Sequence, residues 1–128
     1  MDRKQIADES NHWVVKIGSN VFLRNQRQLD RPSFTSLVGD MDALLESDRT
    51  LTVVSSGAVA LGREHLAWPA EGDSIRDIPH LQALAALGQS RLTQMYADEF
   101  EYYGRKVAQV LLSRADLDDR GRYLNARM

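Results

Sequence analysis

Trp13-Val14-Val15-Lys16-Ile17-Gly18-Ser19-Asn20 is the stretch on which the fold turns. Five residues, four of them apolar and three β-branched, run straight into a small polar turn. A short, almost continuous apolar run of this kind predicts a strand buried on both faces, as in a parallel sheet. Leu51-Thr52-Val53-Val54 repeats the pattern and ends on Ser55-Ser56-Gly57. Val107-Ala108-Gln109-Val110-Leu111-Leu112 gives a third expected strand, followed by Ser113-Arg114-Ala115-Asp116. That last tetrad has the spacing of a capping box, with Asp in place of Glu or Gln.

Helical patterns fill the intervals. Asp30 precedes Pro32, a residue tolerated in a first helical turn, and Phe34, Leu37, Val38, Met41, Leu44 and Leu45 then recur on one helix face. Ala58 onward reads as a short helix starting directly at the Gly57 turn. Trp68–Asp73 reads as a loop. Pro79 to Tyr103 predicts a long helix with the stripe Leu81, Leu84, Ala85, Gly88, Leu92, Met95, Tyr96 and Tyr103, and Gly104 stands where a helix stop belongs. Gly88 in mid-stripe would let another helix approach closely. Part of the stripe is also a candidate subunit interface. Leu117–Met128 looks helical. The order β, α, β, α, α, β, α predicts a parallel sheet with right-handed crossovers and helices on both faces. Three strands make a thin sheet for that class, so the chain reads as the amino-terminal part of something larger. Residues 1–11 lack apolar periodicity and read as a flexible terminus.

Composition narrows the function. One domain fits 128 residues that are 43% apolar and 27% charged. A net charge of −2, from 16 basic and 18 acidic residues, argues against bulk binding to nucleic acid. The absence of cysteine excludes disulfides, thiolate catalysis and Cys-based zinc sites. No run approaches a membrane span, and the polar first ten residues do not read as a signal or transit peptide, so a cytoplasmic location is expected. The sequence contains no G-x-G-x-x-G after a strand, no P-loop and no G-x-S-x-G elbow. His12, His65 and His80 have no metal spacing and read as structural or exposed. The Arg114, Arg120, Arg122 and Arg127 series alternates with Asp116, Asp118 and Asp119, the pattern of a solvated helix face.

In open α/β sheets, ligands bind beyond the carboxyl ends of the strands. The three expected strand ends are all small and polar: Gly18-Ser19-Asn20, Ser55-Ser56-Gly57-Ala58 and Ser113-Arg114-Ala115-Asp116. Glycine lets backbone amides approach an anion. Each turn alone reads as an ordinary tight turn; three on one edge point to a site. Lys16 is an anomaly in an apolar strand, where an unpartnered ammonium would be costly to bury. It is read either as an edge lysine reaching water or as a cation reaching over Gly18 to a phosphate.

Four segments then carry a resemblance: Val14–Asn20, Val53–Glu64, Gln82–Leu92 and Leu112–Arg127. In this order they resemble the glutamate 5-kinases, a branch of the amino acid kinase family, over roughly residues 12–127. The resemblance implies an α/β, three-layer sandwich on a parallel sheet, here its amino-terminal half, with 12–128 as part of one kinase domain. It implies transfer of the γ-phosphoryl of ATP to the side-chain carboxylate of L-glutamate, the first step of proline biosynthesis, with Mg²⁺ accompanying ATP and proline as a feedback inhibitor. Carried over, Lys16 is the catalytic, phosphate-contacting lysine, Gly18 and Ser19 form the loop at the transferring group, and Ser56 with Gly57 contacts glutamate. No metal ligand is assigned in the chain, and a homo-oligomer is expected. Members of the family are about twice as long in the catalytic domain alone, so the 128 residues by themselves are expected to be inactive. Two alternatives stand beside this reading: a non-catalytic, self-associating half-domain, and a kinase of another small carboxylate or carbamate.

Overall fold

The computed structural model describes residues 2–25, 28–45, 48–67 and 77–127. Helix α1 (Arg3–Glu9) opens the chain, capped by the Asp2 side chain, and buries no residue. Strand β1 (His12–Ile17) follows, then a single 3-10 turn at Ser19–Val21. Two-residue strands β2 (Leu23–Arg24) and β3 (Gln28–Leu29) form a small antiparallel hairpin, which the sequence pattern did not announce. Helix α2 (Arg31–Leu44) begins where expected, with Asp30 accepting the Ser33 amide and Pro32 in its first turn. Strand β4 (Thr50–Ser55) pairs parallel with β1, from His12 opposite Thr50 to Ile17 opposite Ser55. Helix α3 (Ala58–His65) and the long α4 (Ile78–Tyr102) come next. Gly104, at φ 72°, stops α4 as expected, and the Gly104 and Arg105 amides return to the carbonyls of Glu101 and Phe100. Two short helices, α5 (Arg114–Asp118) and α6 (Arg120–Arg127), end the described chain. The Trp68–Asp73 loop lies outside the described residues.

The core sits on one face of the β1–β4 pair. Trp13, Val15 and Ile17 alternate with Leu51 and Val53 towards it, and the buried set Phe22, Phe34, Val38, Met41, Leu61, Leu92, Tyr96 and Phe100 fills the space. Phe34 is the hub, with edge-to-face contacts to Phe22 at 5.5 Å and Tyr96 at 4.9 Å between ring centres. Arg105 holds Asp42 at 2.8 Å and Thr35 holds Glu99 at 3.0 Å, which tie α2 to the α4 end.

Glycines allow two helices to come very close. A Cβ on Gly88 would stand 1.7 Å from the Ala58 carbonyl oxygen, and one on Gly62 would stand 2.1 Å from that of Leu84. Helices α3 and α4 therefore touch backbone to backbone, and only glycine fits at either contact. The close approach expected at Gly88 is what the structure contains.

Three expectations are corrected. First, β1 is not buried on both faces. His12, Val14 and Lys16 alternate outward with Thr50, Thr52 and Val54, and that face is open to solvent, with Val14 63% exposed. Second, among the described residues the sheet has two parallel strands rather than three. Residues 107–112 carry no strand pairing, and Val110, Leu111 and Leu112 are exposed. The run is apolar enough for a buried strand, but a strand forms only where a neighbour takes its amides and carbonyls, and here none does. Third, the segment from Leu117 is not one helix: Asp119 adopts an extended backbone and separates α5 from α6.

Candidate functional site

The carboxyl ends of β1 and β4 are neighbours, because the parallel register sets Ile17 beside Ser55. Beyond them the two expected turns meet. The Ser56 amide donates to the Ile17 carbonyl at 3.2 Å, and the Ser19 amide donates to the Ser56 hydroxyl oxygen at 3.1 Å. That hydroxyl in turn donates to the Ile17 carbonyl at 3.4 Å. Gly57 takes φ 118°, ψ 0°, a left-handed conformation that L side chains avoid, and so turns the chain from β4 into α3. A Cβ there would press within 3.2 Å of the Phe22 ring and 3.4 Å of the Ser19 Cβ. Glycine at 57 is thus required twice, by the turn and by the packing.

Gly18 differs. Its φ of −76° is ordinary, and nothing lies within 4 Å of where a Cβ would stand. What it leaves is open space beside the backbone.

Lys16 lies one residue before Ile17 on the open face of the sheet, opposite Val54. It is exposed, so the desolvation cost that made it anomalous in the sequence does not arise. Among the described residues no carboxylate pairs with its ammonium. A lysine free of internal partners beside two glycine-bearing turns can donate to phosphate oxygens as a mobile point charge.

The structure brings together Lys16, Gly18, Ser19, Ser56 and Gly57, but not the third turn. Ser113–Asp116 does form the expected capping box, with Ser113 and Asp116 bonded reciprocally. The Ser113 hydroxyl and the Arg122 guanidinium beside it hold the Asp116 carboxyl below the usual carboxylate range. With no strand before it, this turn caps an exposed helix rather than a sheet edge. Arg114 with Asp118 and Arg122 with Asp116 pair among themselves, as a solvated face does.

Two residues were missed. The Ser55 hydroxyl and the Tyr96 hydroxyl stand 2.9 Å apart, which anchors the β4 end to α4. Burial pushes the Tyr96 hydroxyl pKa above its ordinary value, and the bond to Ser55 partly opposes that. The stripe of α4 placed Tyr96 in the core, but a period cannot show which hydroxyl lies opposite. The second is Glu64, which accepts the Leu29 amide at 3.3 Å and ties α3 to the hairpin. His80 bonds Asp77 within the first turn of α4, and His65 bonds Arg91 across from α3 to α4. Among the described residues no group of three or more His, Asp or Glu could hold a metal ion.

Comparison with known proteins places the sequence in a family. Residues 11–127 match the model of the amino acid kinase family. The glutamate 5-kinase of Saccharophagus degradans is 44% identical over 127 residues, which are 99% of this chain and 33% of that protein. The glutamate 5-kinase of Geobacter sulfurreducens is 45% identical over 125 residues, 98% of this chain and 33% of its own length. That of Shewanella oneidensis is 46% identical over 114 residues, 89% and 30% respectively. The chain spans about a third of the length of these relatives. No described helix is long and apolar enough to cross a membrane. With a family match that covers nearly all of its length, the chain belongs to the amino acid kinase family.

Proposed function

We propose that this chain supplies one side of the site of a glutamate 5-kinase, which transfers the γ-phosphoryl of ATP to the side-chain carboxylate of L-glutamate at the head of proline biosynthesis. The observation that carries the reading is the pair of hydrogen-bonded turns at the ends of β1 and β4, with Lys16 beside them, in a chain 44–46% identical to glutamate 5-kinases. In the reaction a carboxylate oxygen attacks the γ-phosphorus, the bond to the β–γ bridging oxygen breaks, and ADP leaves with that electron pair. Such a step asks the protein for position and positive charge, and for no covalent residue. Lys16 meets the phosphate charge, Gly18 and Ser19 border the transferring group, and Ser56 with the Gly57 amide faces glutamate.

Mg²⁺ would neutralise the phosphates during transfer. The described residues contain no carboxylate cluster to hold it, so no step here runs through a metal held by this chain. The proposal also includes a three-layer sandwich built on the parallel pair, residues 12–128 as part of one kinase domain, a homo-oligomer, proline as a feedback inhibitor and a cytoplasmic location. The 128 residues alone are expected to transfer no phosphoryl group.

The test is a chimera in which residues 1–128 replace the matching third of the Saccharophagus degradans enzyme. Trapping the acyl phosphate with hydroxylamine should show glutamate- and ATP-dependent turnover. Lys16→Ala should lower it about a hundredfold or more, the usual cost of removing one transition-state donor, with the fold unchanged. A folded chimera without turnover, or a variant with normal turnover, would overturn the reading.

One observation favours a second reading, a self-associating half-domain: Val14 and Val54 on the otherwise polar open sheet face, and the Val110–Leu112 segment, are exposed apolar side chains. Titrating the 128-residue chain with Mg·ATP and with glutamate, alongside light scattering, separates the two readings: that module forms dimers or larger species and binds no Mg·ATP, and strong ATP binding rules it out.

A further inference from the structure

The Ser56 hydroxyl is a side-chain group that bonds on both sides of the junction between the two turns. It accepts the Ser19 amide at 3.1 Å and donates to the Ile17 carbonyl at 3.4 Å. A serine hydroxyl has one hydrogen and two lone pairs. Here the hydrogen and one lone pair are committed within the protein, and one lone pair remains for a ligand. The neighbouring contacts leave the turns little independence. Gly57 packs on Ser19 and Phe22, and Phe22 is fully buried. From the other side the Ser55 hydroxyl is held by Tyr96, which fixes the β4 end to α4. The β4–α3 turn is therefore anchored to the core, and the Ser56 hydroxyl adds a side-chain link to the β1 turn beside the Ser56 amide bond to Ile17 and the packing of Gly57 on Ser19 and Phe22.

We propose that Ser56 is a positioning residue, a brace that makes the Gly18–Ser19 turn and the Ser56–Gly57 turn move as one unit. A phosphate-bearing ligand that settles against the first turn is then felt at the second, where the acceptor would lie. The inference rests on the reading of the two turns given under Proposed function. It adds that the phosphate and acceptor sides are coupled through a side chain rather than merely adjacent.

The experiment uses the ¹⁵N-labelled 128-residue chain as wild type, Ser56→Ala and Ser56→Thr. Exchange of the Ser19 amide with solvent should speed up about three- to tenfold in Ser56→Ala, the usual worth of one hydrogen bond, and return to the wild-type rate in Ser56→Thr, which keeps a hydroxyl. Amides of α4 should keep their protection in all three, so a general loosening would be visible. Mg·ATP should then shift the amides of Lys16–Ser19 and of Gly57 together in wild type and Ser56→Thr. In Ser56→Ala it should shift the first turn alone. Unchanged Ser19 exchange in Ser56→Ala, failure of Ser56→Thr to restore it, or an undiminished Gly57 shift without the hydroxyl would each overturn the brace. No shift at either turn in the wild type would overturn the nucleotide reading instead, and the exchange rates would still decide the brace.

Discussion

Replacing Gly88 by Ala should cost more than a single methyl group ordinarily does. The new Cβ would lie 1.7 Å from the Ala58 carbonyl oxygen and 2.6 Å from the Gly62 amide nitrogen. Reaching even the 3.0 Å floor for real Cβ contacts requires α3 and α4 to part by about 1.3 Å. Both partners are backbone, so no rotamer change relieves the clash. Overpacking in a core costs roughly 1–3 kcal/mol, and this case falls at the top of that range. Alanine returns about 1 kcal/mol as the better helix former. The net loss is then about 2 kcal/mol, close to a thirtyfold change in the folding equilibrium. For a domain of this size the melting temperature should fall by roughly 6–10 °C. Far-ultraviolet circular dichroism on heating, with urea unfolding alongside, measures both quantities on the 128-residue chain. Gly39→Ala is the control: its Cβ would meet only the hydroxyl end of Tyr103, at 3.0 Å, which can move aside. That variant should stay within about 1 kcal/mol of wild type. A Gly88→Ala chain as stable as wild type, or more stable, would refute the argument that helix contact is set by this glycine.

Gly57→Ala should destabilise by about 1–2 kcal/mol through its left-handed backbone, before any clash with Phe22, and urea unfolding measures it. Tyr96→Phe keeps the ring in the core but removes the bond to Ser55, and should cost about 1 kcal/mol by the same measurement at pH 7. The raised pKa of Tyr96 gives this pair a pH signature. The folded state holds the phenolic proton more tightly than the unfolded state. The stability it contributes is therefore complete below the unfolded value near 10, and is lost as pH rises through the higher folded value. The stability gap between wild type and Tyr96→Phe should accordingly narrow above about pH 10. Asp30 gives the opposite slope: its carboxyl, held low chiefly by the Arg24 guanidinium at 2.8 Å, loses its contribution only as pH falls below the usual carboxylate range. Asp30→Asn should flatten the acid limb of the stability curve and lower its neutral plateau, where the paired carboxylate contributes fully, as urea unfolding across the acid range would show.

Much of the architecture was legible because it depends on short-range rules. A β-branched run ending in glycine gave β1 and β4, Asp30 and Pro32 marked the start of α2, and Gly104 marked the end of α4. The close contact at Gly88 could be read because a glycine inside an apolar helical stripe has few other reasons to be there. What misled was the step from apolar to buried. Val107–Leu112 has the composition of an inner strand, yet composition says nothing of whether a neighbour is present to accept its backbone bonds. Lys16 reads as costly only if β1 is covered on both sides. The alternation Val14, Lys16 against Val15, Ile17 was already that of a strand with one wet face. The two turns that carry Gly18, Ser19, Ser56 and Gly57 do meet, since strand ends and glycines are local features, and Lys16 precedes the first of them on the exposed face of β1. The Ser55–Tyr96 contact joins positions 41 residues apart, and no local pattern encodes it.

The bare side of the sheet has a consequence for handling the molecule. Val14 and Val54 stand in solvent on one plane, Val110, Leu111 and Leu112 are bare elsewhere, and the net charge is only −2 with an isoelectric point near 5.9. As acid titrates the last excess of negative charge away, long-range repulsion between molecules vanishes while these exposed apolar side chains stay as sticky as before. Colloidal solubility should therefore collapse in mildly acidic buffer, well before any carboxylate that supports the fold is protonated.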